Sequence, residues 1–299
     1  MKKAFIQLHL AVFLAGFTGI LGRLISLNEG MIVWYRLLLT AVTMWILFGV
    51  SKKIHRIPII DILRIGAVGF IAAIHWVTFY GSIKYANVSV ALVCFSTIGF
   101  FTAIFEPSIL GKKINRAELF LGLMTIAGIY IIFHFDSQYK TGIIIGLISA
   151  VMGSLFPIFN REFLKRINVE TMLTWQQTGG LITLSVLLPF YLHRFPVENF
   201  FPGKGDLMWL LVLSWFCSVI AFQFSSNALK RLSAFTVNLM FNLEPIYGIV
   251  LAFIVYKENK LLSKWFYIGF AIIAAALLIH VLLIAKKEKK LVANAAHVS

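Results

Sequence analysis

Long apolar runs alternate with short polar stretches along the whole chain. Each run has about the 20 residues that a helix needs to cross a hydrocarbon core roughly 30 Å thick. The runs are continuously apolar rather than alternating residue by residue, which favours helices over strands. We therefore predict an all-α integral membrane protein with ten transmembrane helices, at about residues 4–25, 31–50, 61–81, 88–110, 118–135, 141–159, 171–192, 207–229, 234–256 and 264–285.

Composition indicates the same class of protein. Apolar residues make up 60% and charged residues 13% of the 299 residues, against roughly 45–50% and about 25% in soluble globular proteins. A water-soluble fold of this length has too little interior to bury that much hydrocarbon. A soluble enzyme and an ordinary DNA-binding domain are therefore excluded, and lipid is the expected solvent.

The net charge is +15, and the distribution of the Lys and Arg residues indicates how the chain is oriented in the membrane. Eighteen of the 27 Lys and Arg residues fall at the termini and around the loops that follow even-numbered runs, whereas eight fall around the other loops. By the positive-inside rule, the first set faces the cytoplasm together with both termini, in a bacterial inner membrane. Because these cations bracket apolar runs instead of clustering with aromatic residues, they indicate no nucleic-acid partner.

The two halves of the chain resemble each other. Residues 34–36 (Trp-Tyr-Arg) align with residues 175–177 (Trp-Gln-Gln), and Gly122 aligns with Gly269. A unit of five helices that starts inside ends outside, so its copy must insert upside down. Inverted repeats of this kind recur in secondary transporters, which bind substrate near the midplane between the repeats. We expect two inverted five-helix repeats, in residues 1–136 and 137–299.

Three segments of the second half carry a resemblance to a known family. They are residues 241–247 (Phe-Asn-Leu-Glu-Pro-Ile-Tyr), residues 256–261 (Tyr-Lys-Glu-Asn-Lys-Leu) and Gly269 in the last run. With ten predicted helices in two halves, the chain resembles the EamA branch of the drug/metabolite transporter (DMT) superfamily. The resemblance implies export or exchange of small metabolites, including amino acids and their analogues.

Glu244 is the strongest candidate for a functional charge. It lies near the middle of the ninth run, where an ionisable residue costs several kcal/mol unless it is paired or hydrated. Pro245 lacks an N–H and leaves the Phe241 carbonyl without its helical partner. The amides of Asn238 and Asn242 are candidates for lining a substrate cavity, while Glu244 would bind a cation or a proton. The alternative is that Glu244 is protonated, or hydrogen-bonded to a neighbouring helix, and stabilises the fold.

Arg36 is the candidate for binding an anionic group of the substrate. It lies about one and a half turns into the second run and could hold a carboxylate with two N–H donors. It could instead extend along its aliphatic stem to the headgroups. The repeat favours the cavity, because residues 175–177 lie at the mirrored position, with Gln176 for polar positioning. Trp76 and Trp175 would then supply stacking or apolar walls.

His75 is a second candidate for proton coupling. It stands next to Trp76 and one turn before Phe79 and Tyr80, so a titratable ring lies beside aromatic surface. The alternative is packing, because a single histidine inside a membrane is more often hydrogen-bonded to a neighbouring helix than a proton carrier.

These features predict a secondary transporter that exports small polar metabolites, such as amino acids or their analogues, by alternating access. An importer or exchanger would carry the same features, and a membrane-embedded enzyme acting on lipid is the alternative from another class. The sequence has no glycine-rich phosphate loop, zinc-ligand spacing or nucleophile elbow, so we expect no enzymatic activity, cofactor or metal. The expected partners are a small-molecule substrate, the lipid bilayer and protons, for a monomer or a homodimer.

Overall fold

The computed structural model describes residues 2–111, 113–197, 200–229, 240–241 and 243–296. Within these ranges the chain is helical and contains no strand. The first half forms α1 (Lys2–Leu24), α2 (Glu29–Val50), α3 (Ile59–Tyr85), α4 (Val88–Phe95), α5 (Ile98–Leu110) and α6 (Arg116–Phe135). The second half forms α7 (Lys140–Phe163), α8 (Val169–Arg194), α9 (Lys204–Ser214), a π-helical segment (Trp215–Ile220), α10 (Ala221–Leu229), α11 (Glu244–Tyr256) and α12 (Lys264–Ala296).

Seven helical stretches in the described part of the chain are long and apolar enough to cross a membrane. They are α1, α2, α3, α4 together with α5, α6, the stretch that contains α7, and the stretch that begins with α9. Apolar helices of 10–17 residues lie at Glu244–Tyr256 and Lys264–Ile279. The chain is therefore a multi-pass helical membrane protein. The count of ten transmembrane helices stays a prediction, since the predicted run 234–256 lies partly outside the described residues.

The fourth predicted run is interrupted between α4 and α5. The Ser96 hydroxyl donates to the Leu92 carbonyl at 3.1 Å, and the Thr97 hydroxyl donates to the Cys94 carbonyl at 2.7 Å. Hydroxyls that bond back to their own helix in this way compete with the backbone ladder and bend the helix. Both side chains therefore have a local structural role at the interruption.

Glycines bring helices of the two halves into close contact. α3 crosses α8 at Gly66 with Gly179 and at Gly69 with Gly180. A Cβ atom at Gly69 would lie 2.0 Å from the Gln176 carbonyl oxygen, and one at Gly179 would lie 2.2 Å from the Gly66 Cα. No side chain fits at these distances, so the crossing depends on small residues, as is common between membrane helices.

The contact between α6 and α12 is reciprocal. A Cβ at Gly128 would meet the Gly269 carbonyl and Ile273, and a Cβ at Gly269 would meet the Gly128 carbonyl and Ile132. Each helix thus offers a glycine, and the isoleucine four residues later, to the same pair on its partner. Contacts that are self-complementary in this way are typical of interfaces with two-fold symmetry.

The glycine in this contact differs from the one that the sequence alignment pairs with Gly269. Gly122 packs against Phe100 of α5, within the first half. Gly128, six residues further along α6, is the glycine that meets Gly269. The alignment of Gly122 with Gly269 rested on two single residues, and a glycine-rich helix offers more than one such match.

At the predicted outer end, Glu258 joins three elements. Its side chain is fully buried and accepts hydrogen bonds from the backbone N–H groups of Val88 and Ser89 at 3.1 and 2.8 Å. The Ser89 hydroxyl donates to it at 2.6 Å, and Arg23 forms an ion pair with it. The free N–H groups and the dipole at a helix N-terminus stabilise a carboxylate. Glu258 therefore holds the start of α4 and the end of α1 against the turn that follows α11.

We expect Glu258→Ala to lower the thermal unfolding midpoint of the purified protein. The substitution leaves the two α4 amides without their acceptor, and each unsatisfied buried donor costs about 1–3 kcal/mol. Glu162→Ala, which removes an exposed pair with Lys165, should cost no more than about 0.5 kcal/mol. Equal midpoints for the two variants would mean that Glu258 does not stabilise this end of the bundle.

Candidate substrate-binding site

Arg36 on α2 lies in the interior, between helices of both halves. Its Nε donates to the Ser218 hydroxyl at 3.0 Å, and a terminal nitrogen donates to the Tyr80 hydroxyl at 2.9 Å. The guanidinium carbon lies 4.3 Å from the centre of the Trp76 ring, within the range of a cation–π contact. Because Arg36 is only 3% exposed, its side chain is turned to the interior and does not extend to the headgroups.

The π-helical segment positions the hydroxyl that Arg36 contacts from the second half. Ser218 lies within this segment, and Ser214 at its start donates to the Arg36 carbonyl at 3.4 Å. Single π turns inside α-helices occur frequently at functional sites. The second half thus binds both the backbone and the side chain of Arg36.

Two residues of α3 complete the surroundings of Arg36 from the first half. Trp76 and Tyr80 are one turn apart, so the indole ring and the hydroxyl reach the same guanidinium. Tyr80 is fully buried, and it packs so closely on α1 that a Cβ at Gly22 would lie 2.3 Å from its ring. Close packing therefore fixes the direction of the hydroxyl.

Glu244, the first residue of α11, approaches the same region. It is half-buried and interacts electrostatically with Arg36. α11 lies close to α1 here, since a Cβ at Gly16 would be 3.1 Å from the Glu244 carbonyl oxygen. An arginine of the first half and a glutamate of the second half thus approach a common interior region.

His75 is held by α7. Its Nδ1 lies 2.9 Å from the Ser149 carbonyl oxygen, and the Ser149 hydroxyl donates to the His75 carbonyl at 2.9 Å. The ring is 5% exposed, and its centre lies 6.2, 5.3 and 5.7 Å from those of Phe79, Phe95 and Phe156. These contacts fit the packing alternative for His75, and its role in proton coupling stays a prediction.

Gln176 lies away from Arg36, toward the predicted inner end. Its side chain accepts a hydrogen bond from Asn160 at 3.1 Å, and its backbone packs against Gly69. Gly69 precedes Trp76 by seven residues on α3, which separates the two levels by about 10 Å at 1.5 Å per residue. Gln176 is therefore about two turns from the surroundings of Arg36.

Trp175 does not share a cavity wall with Trp76. It packs edge-on against Trp45 at 5.1 Å between ring centres, and the two rings line a groove of about 370 Å³ together with His55 and Arg56. Consecutive residues on a helix point about 100° apart, so Trp175 faces the end of α2 while its neighbour faces α7. Trp175 and Trp76 thus lie in separate places in this structure, and a role of Trp175 in substrate binding stays a prediction.

Asn238 and Asn242 lie outside the described residues. Sequence reasoning missed the role of Ser218, although two serines four residues apart in an apolar run, at positions 214 and 218, place two hydroxyls on one helix face. Within the described ranges, no group of three or more His, Cys, Asp or Glu side chains could hold a metal ion.

Several membrane-spanning helices around an interior charged region define a multi-pass membrane protein with a polar site at membrane depth. The sequence profile of the EamA-like transporter family matches residues 2–134 and residues 140–280. The chain belongs to this family, which indicates a membrane transporter rather than an enzyme.

The names of individual relatives also indicate a transporter, and they name no substrate. An uncharacterized transporter of Haemophilus influenzae is 23% identical over 273 residues, covering 84% of this chain and 85% of the relative. An uncharacterized transporter of Clostridium kluyveri is 26% identical over 191 residues, covering 60% of this chain and 59% of the relative. A protein of known crystal structure has the same fold, with a TM-score of 0.64 at 16% identity, covering 94% of this chain and 98% of that one.

Proposed function

We propose that the protein is a secondary transporter of small zwitterionic metabolites, such as amino acids or their analogues, and that it works by alternating access. Arg36 binds the substrate carboxylate, and Glu244 binds its ammonium group or a coupling proton. The observation that carries this proposal is the buried guanidinium of Arg36, which forms no salt bridge with any described carboxylate.

The chemistry of Arg36 supports an anionic ligand. A guanidinium has five N–H donors, and the contacts to Ser218 and Tyr80 use two of them. A buried charge is costly unless it is paired and hydrogen-bonded, so a substrate carboxylate would compensate a cost that the protein otherwise bears. The Trp76 ring covers one face of the guanidinium, which leaves the edge for a two-bond contact with a carboxylate.

Glu244 supports a substrate that carries both signs of charge. Its carboxylate comes from the second half, opposite an arginine from the first, so a zwitterion could bridge the two halves. A proton bound at Glu244 would neutralise it and release an ammonium group, which offers a route to proton coupling. We take export from the cytoplasm as the direction on the family resemblance alone, and we place both termini inside on the distribution of Lys and Arg. An importer or exchanger would use the same contacts.

Counterflow in proteoliposomes tests this proposal. Vesicles preloaded with unlabelled neutral amino acids should accumulate labelled amino acid. The matching amino-acid amide, which lacks the carboxylate, and the matching acid without the amine should not accumulate. Glu244→Gln should reduce accumulation about tenfold or more, because a charged hydrogen bond is worth about 1.5–3 kcal/mol, and should remove any dependence on a pH gradient. Glu162→Gln, at an exposed position, is the matched control.

The outcomes separate the parts of the proposal. Accumulation of sugars or nucleosides but of no amino acid would contradict the substrate class. Equal transport by wild type and Glu244→Gln would contradict the role of Glu244. A folded protein that exchanges none of the probe classes would contradict transport of small metabolites.

A further inference from the structure

Two aspartates occupy the same position in the two halves of the chain. Asp61 is the third residue of α3, which is the third membrane helix of the first half, and Asp206 is the third residue of α9, which begins the third helix of the second half. Each aspartate is bonded to the loop between the first and second helices of the other half. The two contacts are defined here as the inner latch and the outer latch.

The inner latch is an ion pair. Arg166 donates to both oxygens of Asp61, at 2.6 Å to Oδ2 and 2.7 Å to Oδ1. The Asp61 side chain is 4% exposed, whereas that of Arg166 is 51% exposed. Two parallel N–H···O bonds fix the direction as well as the distance of the contact.

In the outer latch, two neutral donors of Ser26 bind the two oxygens of Asp206. The Ser26 backbone N–H donates to Asp206 Oδ1 at 2.8 Å, and the Ser26 hydroxyl donates to Asp206 Oδ2. Both oxygens of the aspartate are therefore bound in each latch. The outer latch lacks the second charge that the inner latch has.

The donors are also equivalent in position. Ser26 lies two residues before Asn28, the N-cap of α2, and Arg166 lies two residues before Asn168, the N-cap of α8. Since α2 and α8 are the second helices of their halves, each latch joins the same two places. A sequence alignment does not show that Ser26 and Arg166 are equivalent, because serine and arginine are dissimilar residues.

The helices that carry the two aspartates also pack against the second helix of the other half. α3 packs on α8 of the other half through paired glycines, and α9 with the π-helical segment packs on α2 through Ser214 and Ser218. The α6–α12 contact is itself reciprocal at Gly128 and Gly269. These contacts thus agree with a two-fold relation between the halves.

The two latches lie at opposite ends of the bundle. Ser26 precedes the first residue of α2, and the loop after the last residue of α2 leads to Asp61. α2 has 22 residues, which is about 33 Å at 1.5 Å per residue, enough to cross a hydrocarbon core roughly 30 Å thick. Asn168 also donates to the Lys53 carbonyl at 2.7 Å, so the loop of the inner latch meets the loop after α2.

We propose that Asp61–Arg166 and Asp206–Ser26 are equivalent latches that close the inner and outer ends of the protein, and that each transport step opens one of them while the other stays closed. This inference rests on the proposed alternating-access transport. Arg36 lies between the two latches on α2, so the binding region would be sealed from both sides when both are closed. The inner latch contains an ion pair whose Arg166 side is half exposed, whereas the outer latch contains only one charge. High salt should therefore weaken the inner latch more than the outer one.

Hydrogen exchange measured by mass spectrometry on the reconstituted full chain tests the latches without a substrate. Asp61→Asn should raise deuterium uptake about twofold or more around residues 51–61 and 164–170, and should leave or lower uptake around residues 24–30 and 200–208. Asp206→Asn should give the opposite pattern. Glu118→Gln, at an exposed cap within the first half, is the matched control and should change neither end.

The donor variants guard against misfolding of the aspartate variants. Ser26 and Arg166 are exposed, so Ser26→Ala and Arg166→Gln should fold. Arg166→Gln should open the inner end, and Ser26→Ala, which keeps the backbone N–H bond to Asp206, should open the outer end to a smaller extent. Increased uptake at both ends in either single variant, or at neither end in all four variants, would overturn the inference.

Counterflow by the same variants separates this inference from the proposed function. Asp61→Asn and Asp206→Asn should each lower the exchange rate about tenfold, since a latch that cannot close allows no coupled exchange. If the wild type exchanges no probe, the proposed function fails, and the pattern of hydrogen exchange still decides whether the two ends open independently.

Discussion

Replacing Arg36 with alanine should reduce counterflow of a labelled amino acid about tenfold or more, because a charged hydrogen bond is worth about 1.5–3 kcal/mol and tenfold corresponds to 1.4 kcal/mol. The substitution removes the only guanidinium that the described residues place at the centre of the site. Competition by the amino-acid amide, which has no carboxylate, should be equal in wild type and variant. Initial rates over a range of substrate concentrations give the measurement.

Two control variants separate recognition from folding. Arg36→Lys keeps the charge but cannot make two parallel hydrogen bonds, so it should retain part of the activity with a raised KM. Arg194→Ala removes an exposed arginine at the end of α8 and should transport like the wild type. Equal transport by Arg36→Ala and wild type, with both proteins folded, would contradict the role of Arg36.

The helical organisation could be predicted because lipid imposes one strong rule. A segment within the hydrocarbon must satisfy its backbone internally, so apolar runs indicate helices without any knowledge of packing. The predicted run 88–110 matches the membrane-spanning stretch Val88–Leu110, for example. The break inside that stretch was not predicted, since it depends on which backbone carbonyl accepts a hydrogen bond from each of the Ser96 and Thr97 hydroxyls.

The site could be predicted only in part. Arg36 and Trp76 could be named, because a charge and an indole at membrane depth are unusual whatever surrounds them. Their contact with each other, and with Ser218, depends on the crossing of α2, α3 and the π-helical segment, which no pattern along one helix contains. The separation of Trp175 from Trp76 could not be predicted for the same reason, since the repeat gives the position of Trp175 along its helix but not the direction of its side chain.

The glycine crossing of α3 and α8 connects packing with this site. α3 carries Trp76 and Tyr80, the two first-half residues that surround the Arg36 guanidinium. Any change that separates α3 from α8 also tilts these two side chains. The close approach at Gly69 is therefore a requirement for the site as well as for the fold.

Gly69→Ala should accordingly destabilise the protein and reduce transport together. The new Cβ would lie 2.0 Å from the Gln176 carbonyl oxygen, and because that oxygen belongs to the backbone of α8, a helix must move. Overpacking of this kind costs about 1–3 kcal/mol and sometimes more. Thermal unfolding of the purified protein, followed by counterflow of the folded fraction, gives the two measurements.

Gly49→Ala is the matched control, because it is also a helical glycine and nothing lies within 4 Å of its Cβ position. The added methyl group should leave stability unchanged or raise it by up to about 1 kcal/mol, through the higher helix propensity of alanine. If the two variants have the same unfolding midpoint and the same transport rate, α3 and α8 do not cross as closely in the membrane as this structure requires. The stability of the protein would then depend on contacts other than the glycine crossing.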